Sequence, residues 1–89
     1  MLYKITMITD TEGNAKDGKA ITDRIGRIIK LDETQIHYGK PLLMECVYPG
    51  FHKSLITSPV STTMRFDKIL FIATRNSIYM LEEDYSMIE

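Results

Sequence analysis

The sequence predicts a mainly β fold: a small single-domain barrel or sandwich of about six short strands, with at most one short helix. Three observations carry this. The chain has 89 residues, the size of one small domain spanning 1–89. Its apolar runs are short and rich in isoleucine, tyrosine and phenylalanine, which suit a pleated, half-buried surface. Between them lie clusters of Gly, Pro, Asn, Asp, Ser and Thr, and no internal repeat, low-complexity segment or linker divides the chain.

Leu2–Thr9, LYKITMIT, reads as a strand with Tyr3, Ile5 and Met7 on one face by period two. The polar stretch DTEGNAKDGKA reads as a loop. Arg24–Leu31, RIGRIIKL, supports two readings. As a strand it places Ile25, Arg27, Ile29 and Leu31 together; as a helix from about Lys19 it lines up Ile21, Ile25, Ile28 and Ile29. Gly26 costs a helix about 1 kcal/mol relative to alanine, and the isoleucines also disfavour one, so the strand is preferred. LDETQIHYGKP is a connection. Leu42–Tyr48, LLMECVY, is a buried strand with Glu45 on its more exposed face. PGFHK is a turn, and KSLITSPV a short strand with Pro59 near its end, where a missing N–H is tolerated. STTMRFDK reads as a loop or irregular bridge.

The last arms are Ile69–Thr74 and Ile78–Glu83. Either they form a hairpin about Arg75-Asn76 or Asn76-Ser77, or one strand pauses there and continues. In the second case Ser77, Tyr79 and Leu81 share a face, opposite Ile78 and Met80. The hairpin is preferred, because an apolar-rich strand of that length is unusual, and Asn76 tolerates positive φ.

Composition bounds the function. Hydrophobic content of 44% and charged content of 26% are those of a soluble globular chain. Net charge of −1 argues against a general nucleic-acid binder. The charge is uneven: five basic residues lie between Lys16 and Lys30, and four acids with no base between Glu82 and Glu89. Both read as solvated surfaces, or as ends that orient a head-to-tail contact. Cys46 is alone and no signal peptide is evident, which points to a reducing, cytoplasmic setting. No apolar run approaches the roughly 20 residues of a membrane span.

The motif Gly13-Asn14-Ala15-Lys16-Asp17-Gly18-Lys19 fits G-x-x-x-x-G-K, but Ala20 stands where a phosphate loop needs Ser or Thr for magnesium. A mobile surface loop is the plainer reading. His37, His52 and Cys46 lack metal-ligand spacing, so no metal or cofactor is expected, and Cys46 suits a core position. No carboxylate pair is spaced for acid–base work, and no enzyme is expected.

The second half offers a different chemistry. Thr57, Ser58, Arg65, Arg75, Asn76 and Ser77 supply hydroxyls, an amide and guanidinium forks suited to an anionic or phosphorylated small molecule. That site requires Arg75 and Asn76 to meet Thr57, Ser58 and Arg65 in space. In the competing reading the same side chains satisfy turn backbones. Single-stranded nucleic-acid binding would use Tyr3, Phe71 and Tyr79 as stacking platforms, but no strand interleaves aromatics with several bases.

TSPV, Thr57–Val60, followed by TRNSIYML, Thr74–Leu81, resembles a pattern in small uncharacterised all-β proteins of Gram-positive bacteria and their phages: T-S-x-V, then T-x-N-S-x-Y. RIGR, Arg24–Arg27, belongs with it. The resemblance implies a small, mostly β domain and says nothing of activity. From the missing catalytic constellation and the small size, the function expected is a non-enzymatic, homo-oligomeric binding or assembly module. The alternative is a binder or sequestering protein for a nucleotide or other phosphorylated ligand. Six methionines and exposed strand edges suit a protein partner.

Overall fold

The structure, a computed structural model, describes residues 1–49 and 54–86. Seven strands follow one another: β1 (Leu2–Thr9), β2 (Ile28–Lys30), β3 (Leu43–Tyr48), β4 (Leu55–Ile56), β5 (Val60–Phe66), β6 (Ile69–Thr74) and β7 (Ile78–Glu83). A four-residue helix, α1 (Lys19–Thr22), and a 3-10 turn at Glu33–Gln35 are the helical elements among the described residues. The strands form one antiparallel sheet in the order β4-β3-β2-β1-β7-β6-β5.

That order has a geometric consequence. β4 and β5 stand at its two ends, yet only Thr57-Ser58-Pro59 separate them in the chain. The sheet therefore curls until its ends meet, giving the barrel rather than the sandwich. Backbone bonds seal the junction: Thr57 N–H donates to Leu42 C=O (2.9 Å), Val60 N–H to Lys40 C=O (3.0 Å) and Gly39 N–H to Val60 C=O (2.7 Å). β4 and β5 act as the halves of one bent strand, the first half laddered to β3 and the second to β6. Pro59, which donates no ladder bond, sits at the bend.

Inward alternation supplies the core: Tyr3, Ile5 and Ile8 from β1, Ile29 from β2, Met44 from β3, Val60 from β5, Leu70 and Ile72 from β6, and Tyr79 and Leu81 from β7, with Leu31 and Leu42. Burying each large aliphatic side chain contributes about 1.5–3 kcal/mol. Each buried tyrosine carries its hydroxyl outward to a charged side chain, Tyr3 to Glu33 (2.6 Å) and Tyr79 from Arg24 (3.3 Å).

Several elements depart from the sequence expectation. In β1 the face of Tyr3 and Ile5 does not include Met7. Ile5 pairs with Leu81 and Met7 with Met80, so Thr6 is an extra residue that reverses the alternation. Ile8 then points inward and Met7 outward. Arg24–Leu31 is not one strand. Gly26 takes φ +89 and donates to Ile5 C=O (2.8 Å), so the extended run starts only at Ile28, after the short helix α1.

STTMRFDK is not a loop. It is most of β5, followed by a turn at Asp67-Lys68 in which Asp67 has φ 56. β4 is a fragment of the expected KSLITSPV strand, which breaks at Thr57–Pro59. β3 keeps its expected place but is not a buried strand: Met44 alone of its residues is fully inward, while Leu43, Glu45 and Tyr48 are exposed, because β3 pairs on one side with the two-residue β4 only. The hairpin arms are as expected, Ile69–Thr74 and Ile78–Glu83. The PGFHK turn beyond Pro49, His52, the first residue of KSLITSPV and the end of the acidic run at 87–89 lie outside the described residues.

The closure predicts a stability effect at Thr57, which is 4% exposed. Its Oγ1 accepts the Leu42 N–H (3.0 Å) and donates to Ser58 C=O (2.7 Å). Thr57→Val keeps the shape and strands that amide. Urea unfolding should show a loss of about 1–3 kcal/mol with unchanged m-value.

Candidate functional site

The structure brings five of the six candidate residues to one end of the barrel and holds Arg65 at the other. Along β5 and β6 Arg65 lies opposite Leu70, whereas Thr74 begins the β6–β7 turn. Four residues of strand, roughly 14 Å, separate the two levels. The site that needed Arg65 beside Arg75 and Asn76 is therefore not assembled.

At the first end the polar groups bond mainly to one another. Ser58 Oγ donates to Thr74 Oγ1 (2.8 Å) and accepts the Asn76 N–H (3.1 Å). Thr74 Oγ1 donates to Ser77 C=O (2.9 Å) and accepts the Ser77 N–H (3.1 Å). Arg75 N–H donates to Pro59 C=O (3.0 Å), and Lys16 Nζ reaches Ser77 Oγ (2.8 Å). Hydroxyls thus do the work of a turn backbone and brace the β6–β7 hairpin against the bend between β4 and β5. Asn76 is not a positive-φ pivot: Asp67 is the sole non-glycine residue of that kind among the described residues. The Thr74 hydroxyl, instead of a left-handed residue, absorbs the reversal. What remains available at this end is the exposed side chains of Arg75 and Asn76, which make no hydrogen bond among the described residues.

The loop with the G-x-x-x-x-G-K spacing holds an anion of its own. Asp10 Oδ1 accepts the amides of Glu12 (2.9 Å) and Asn14 (2.9 Å). The Asn14 amide, with that of Glu12, lowers the Asp10 carboxyl from its ordinary value. Gly13 and Gly18 adopt positive φ, and Lys19 opens a helix of a single turn. Within the motif the Asn14 amide serves that carboxylate, and the Gly13 and Lys16 amides go to the carbonyls of Asp10 (3.1 Å) and Ile8 (3.0 Å).

At the other end Arg65 is a clasp. Its guanidinium pairs with Glu33, with Glu83 Oε2 (2.7 Å) and with the Tyr3 hydroxyl (2.6 Å), and lies 5.9 Å from the centre of the Tyr3 ring. Tyr3 donates in turn to Glu33. Three segments distant in sequence, the 3-10 turn, β5 and the end of β7, are tied across β1. A hollow of about 540 Å³ lies beside the clasp, lined among others by Lys30, Asp32, Glu33, Glu45 and Glu83. Its carboxylates outnumber its cations, and Arg65 is already engaged by two of them, so this hollow disfavours an anion. The described residues contain no group of three or more His, Cys, Asp or Glu placed to hold a metal ion. Cys46 is half-buried, its thiol directed at the carbonyls of Tyr48 and Pro49.

The outside of the sheet carries a feature the sequence reading missed. Met64 of β5 is opposite Phe71 of β6, Phe71 is opposite Met80 of β7, and Met80 is opposite Met7 of β1. The four make one apolar row across four strands, facing away from the core. Ala73, Ile78 and Thr62 flank it, around a shallow hollow of about 390 Å³. Met64 is 62% exposed and Phe66, two residues on, 74%. The Phe71–Met80 pair was implicit in the hairpin arms. Met64 was hidden because β5 read as a loop, and Met7 because nothing local signals the bulge at Thr6. Tyr3 and Tyr79 are core residues, 1% and 4% exposed, and offer no stacking platform.

No helix among the described residues is long and apolar enough to cross a membrane. The chain matches no protein-family model, no curated protein and no solved structure. Fold and surface define a class and no more: a small antiparallel barrel joined at the β4–β5 bend and open along the edge of β5, braced by hydroxyls at one end and clasped by an arginine at the other, with an apolar stripe outside.

The clasp makes a pH prediction. The Tyr85 hydroxyl foremost, and then the Arg65 guanidinium, hold the Glu83 carboxyl below its ordinary value of 4.5. A carboxyl lowered on folding stabilises the fold above its unfolded pKa and loses that contribution as pH falls through the folded value. Urea midpoints should therefore drop below about pH 4.5. Glu83→Gln should flatten part of that drop. The shares of Asp10, Asp32 and Asp84, lowered chiefly by Asn14, Thr34 and Ser86 respectively, should remain.

Proposed function

We propose that the protein is a non-enzymatic binding and assembly module that acts in the cytoplasm by associating with copies of itself. The observation that carries this is the Met64–Phe71–Met80–Met7 row. A contiguous apolar stripe on the outer face of a sheet has no role in the barrel's own core, and such stripes mark interaction surfaces. Methionine is well suited to one, because its unbranched thioether adapts to a facing surface. A small barrel also gains from burying more surface through a partner than its own core allows.

Binding of a phosphorylated small molecule has weaker support. Its hydroxyls are committed to the turn and Arg65 to two carboxylates; of the six candidates, the Arg75 and Asn76 side chains make no hydrogen bond among the described residues.

Light scattering across a concentration series tests the assembly function. The expected mass is a multiple of the 10.3 kDa chain. Met64→Glu places a charge in the middle of the row at an exposed position, where the fold itself should change by no more than about 0.5 kcal/mol. It should return the mass to that of one chain with an unaltered circular dichroism spectrum. A wild-type protein that stays at the single-chain mass at every concentration overturns the proposal.

A further inference from the structure

The row ends at an open strand edge. β5 is laddered to β6 on one side. On its other side Val60 bonds to Gly39 and Lys40, but from Ser61 to Phe66 no backbone bond to any other segment is present among the described residues. Beyond Val60, the connection between β2 and β3 touches this strand through side chains, Tyr38 to Thr63 (3.2 Å) and Glu33 to Arg65. Thr63 and Arg65 lie opposite the buried Ile72 and Leu70, so those contacts are on the inner face.

An exposed edge of this length is normally blunted by a lysine, a proline, an unpaired charge or a bulge. Between Thr62 and Phe66 there is none of these. The bulge lies before Thr62, the prolines lie elsewhere, and Arg65 is turned inward and paired with Glu33 and Glu83. The outward side chains Thr62, Met64 and Phe66 are uncharged.

We infer that β5 pairs antiparallel with β5 of a second copy, about a two-fold axis that passes beside Met64. The inference rests on self-association as the protein's mode of action and specifies its geometry. The register follows from what is free. The regular part of β5 runs from Thr62, after the bulge, to Phe66, before the Asp67 turn, and its midpoint is Met64. An antiparallel pair of identical strands sets one residue opposite its own copy. Centring on Arg65 would oppose two guanidinium groups. Centring on Thr63 would bring in the bulge residue Ser61 and leave Phe66 outside the ladder.

With Met64 at the axis, Thr63 faces Arg65 of the other copy, Thr62 faces Phe66, and Met64 faces Met64. No like charges meet. The apolar row of each copy continues into the other across the axis, so the ladder and the outer face are satisfied by the same operation. The edge is complementary to itself, which a second copy meets without further assumption.

Disulfide trapping tests the geometry in a Cys46→Ser background. Residues directly opposite in an antiparallel pair have Cα atoms about 4.5–5.5 Å apart, within the range a disulfide spans. Met64→Cys should give a covalent dimer under mild oxidation at least tenfold faster than Phe66→Cys, which faces Thr62 of the other copy. The double variant Thr62→Cys, Phe66→Cys should cross-link rapidly again. These positions are exposed, and circular dichroism checks that each variant folds. An oligomeric protein in which Met64→Cys cross-links no faster than Phe66→Cys overturns the edge pairing and leaves self-association standing. A protein that is monomeric by light scattering and shows no preference for position 64 overturns both, and leaves the edge to a strand of a different protein.

Discussion

Everything in this fold depends on how one strand is divided. The path from Leu55 to Phe66 serves two neighbours, β3 with its first two residues and β6 with its last seven. A flat sheet cannot satisfy both, because those neighbours are at opposite ends of the strand order. The sheet must coil, and the bend at Thr57–Pro59 is where the coil is secured. Nearly every polar group near the bend serves it: Thr57 reaches back to Leu42, Pro59 C=O receives Arg75 N–H, and Ser58 reaches Thr74 and Asn76. The cluster of Ser, Thr and Asn that suggests a ligand site from its composition is the fastening of the barrel. A phosphate there would compete with bonds that close the fold.

The same division leaves each half of the bent strand open on one side. β4 is two residues long, a length at which an edge invites little pairing. β5 is long, regular after its bulge and apolar on its outer side. The two ends of the barrel differ for the same reason. Where β4 and β5 join, backbone and hydroxyl bonds seal the gap. Farther along β5 no strand is near enough to ladder, and the gap is spanned by side chains instead, with Arg65 holding Glu33 and Glu83. Exposed ion pairs of this kind are screened by solvent and contribute little to stability. The clasp positions the β2–β3 connection against the inner side of β5.

Much of the fold was legible from the chain, because local signals and tertiary demands agree there. β1 and the hairpin arms have clear alternation and clear bounds. The competing reading of the hairpin, with Ser77, Tyr79 and Leu81 on one face, also named the inward face, since alternation across the turn is the same in both. The errors fall where a tertiary partner overrides the local pattern. STTMRFDK looks like a loop because the inward positions of its strand part carry threonine and arginine. Those residues are tolerated because they lie at the rim of the core, where Thr63 meets the exposed Tyr38 and Arg65 finds the Tyr3 hydroxyl and two carboxylates. The bulge at Thr6 leaves no local mark, since it is fixed by pairing with β7 more than 70 residues away. The polar cluster was legible as a set, and its convergence is real except for Arg65. The acids that hold Arg65 lie 32 and 18 residues from it, and no spacing rule connects them.

The polarity of β5 therefore has one cause seen from two sides. Facing inward, it needs side chains that tolerate water at an incompletely covered wall, and it has Thr63 and Arg65. Facing outward, it would need charge if it were to remain alone, and it has Met64 and Phe66. A strand of a monomer would show the reverse, with apolar residues toward the core and charges toward solvent. Apolar side chains are also exposed elsewhere, as at the Leu43–Ile56 pair between β3 and β4, but the row through Met64, Phe71, Met80 and Met7 is continuous across four strands and ends at the open edge, while β3 and β1 keep exposed charges at Glu45 and Lys4. An apolar outer face beside an unused ladder edge, in a barrel otherwise closed by its own hydrogen bonds, makes physical sense if the outer side of β5 is an inner side of something larger.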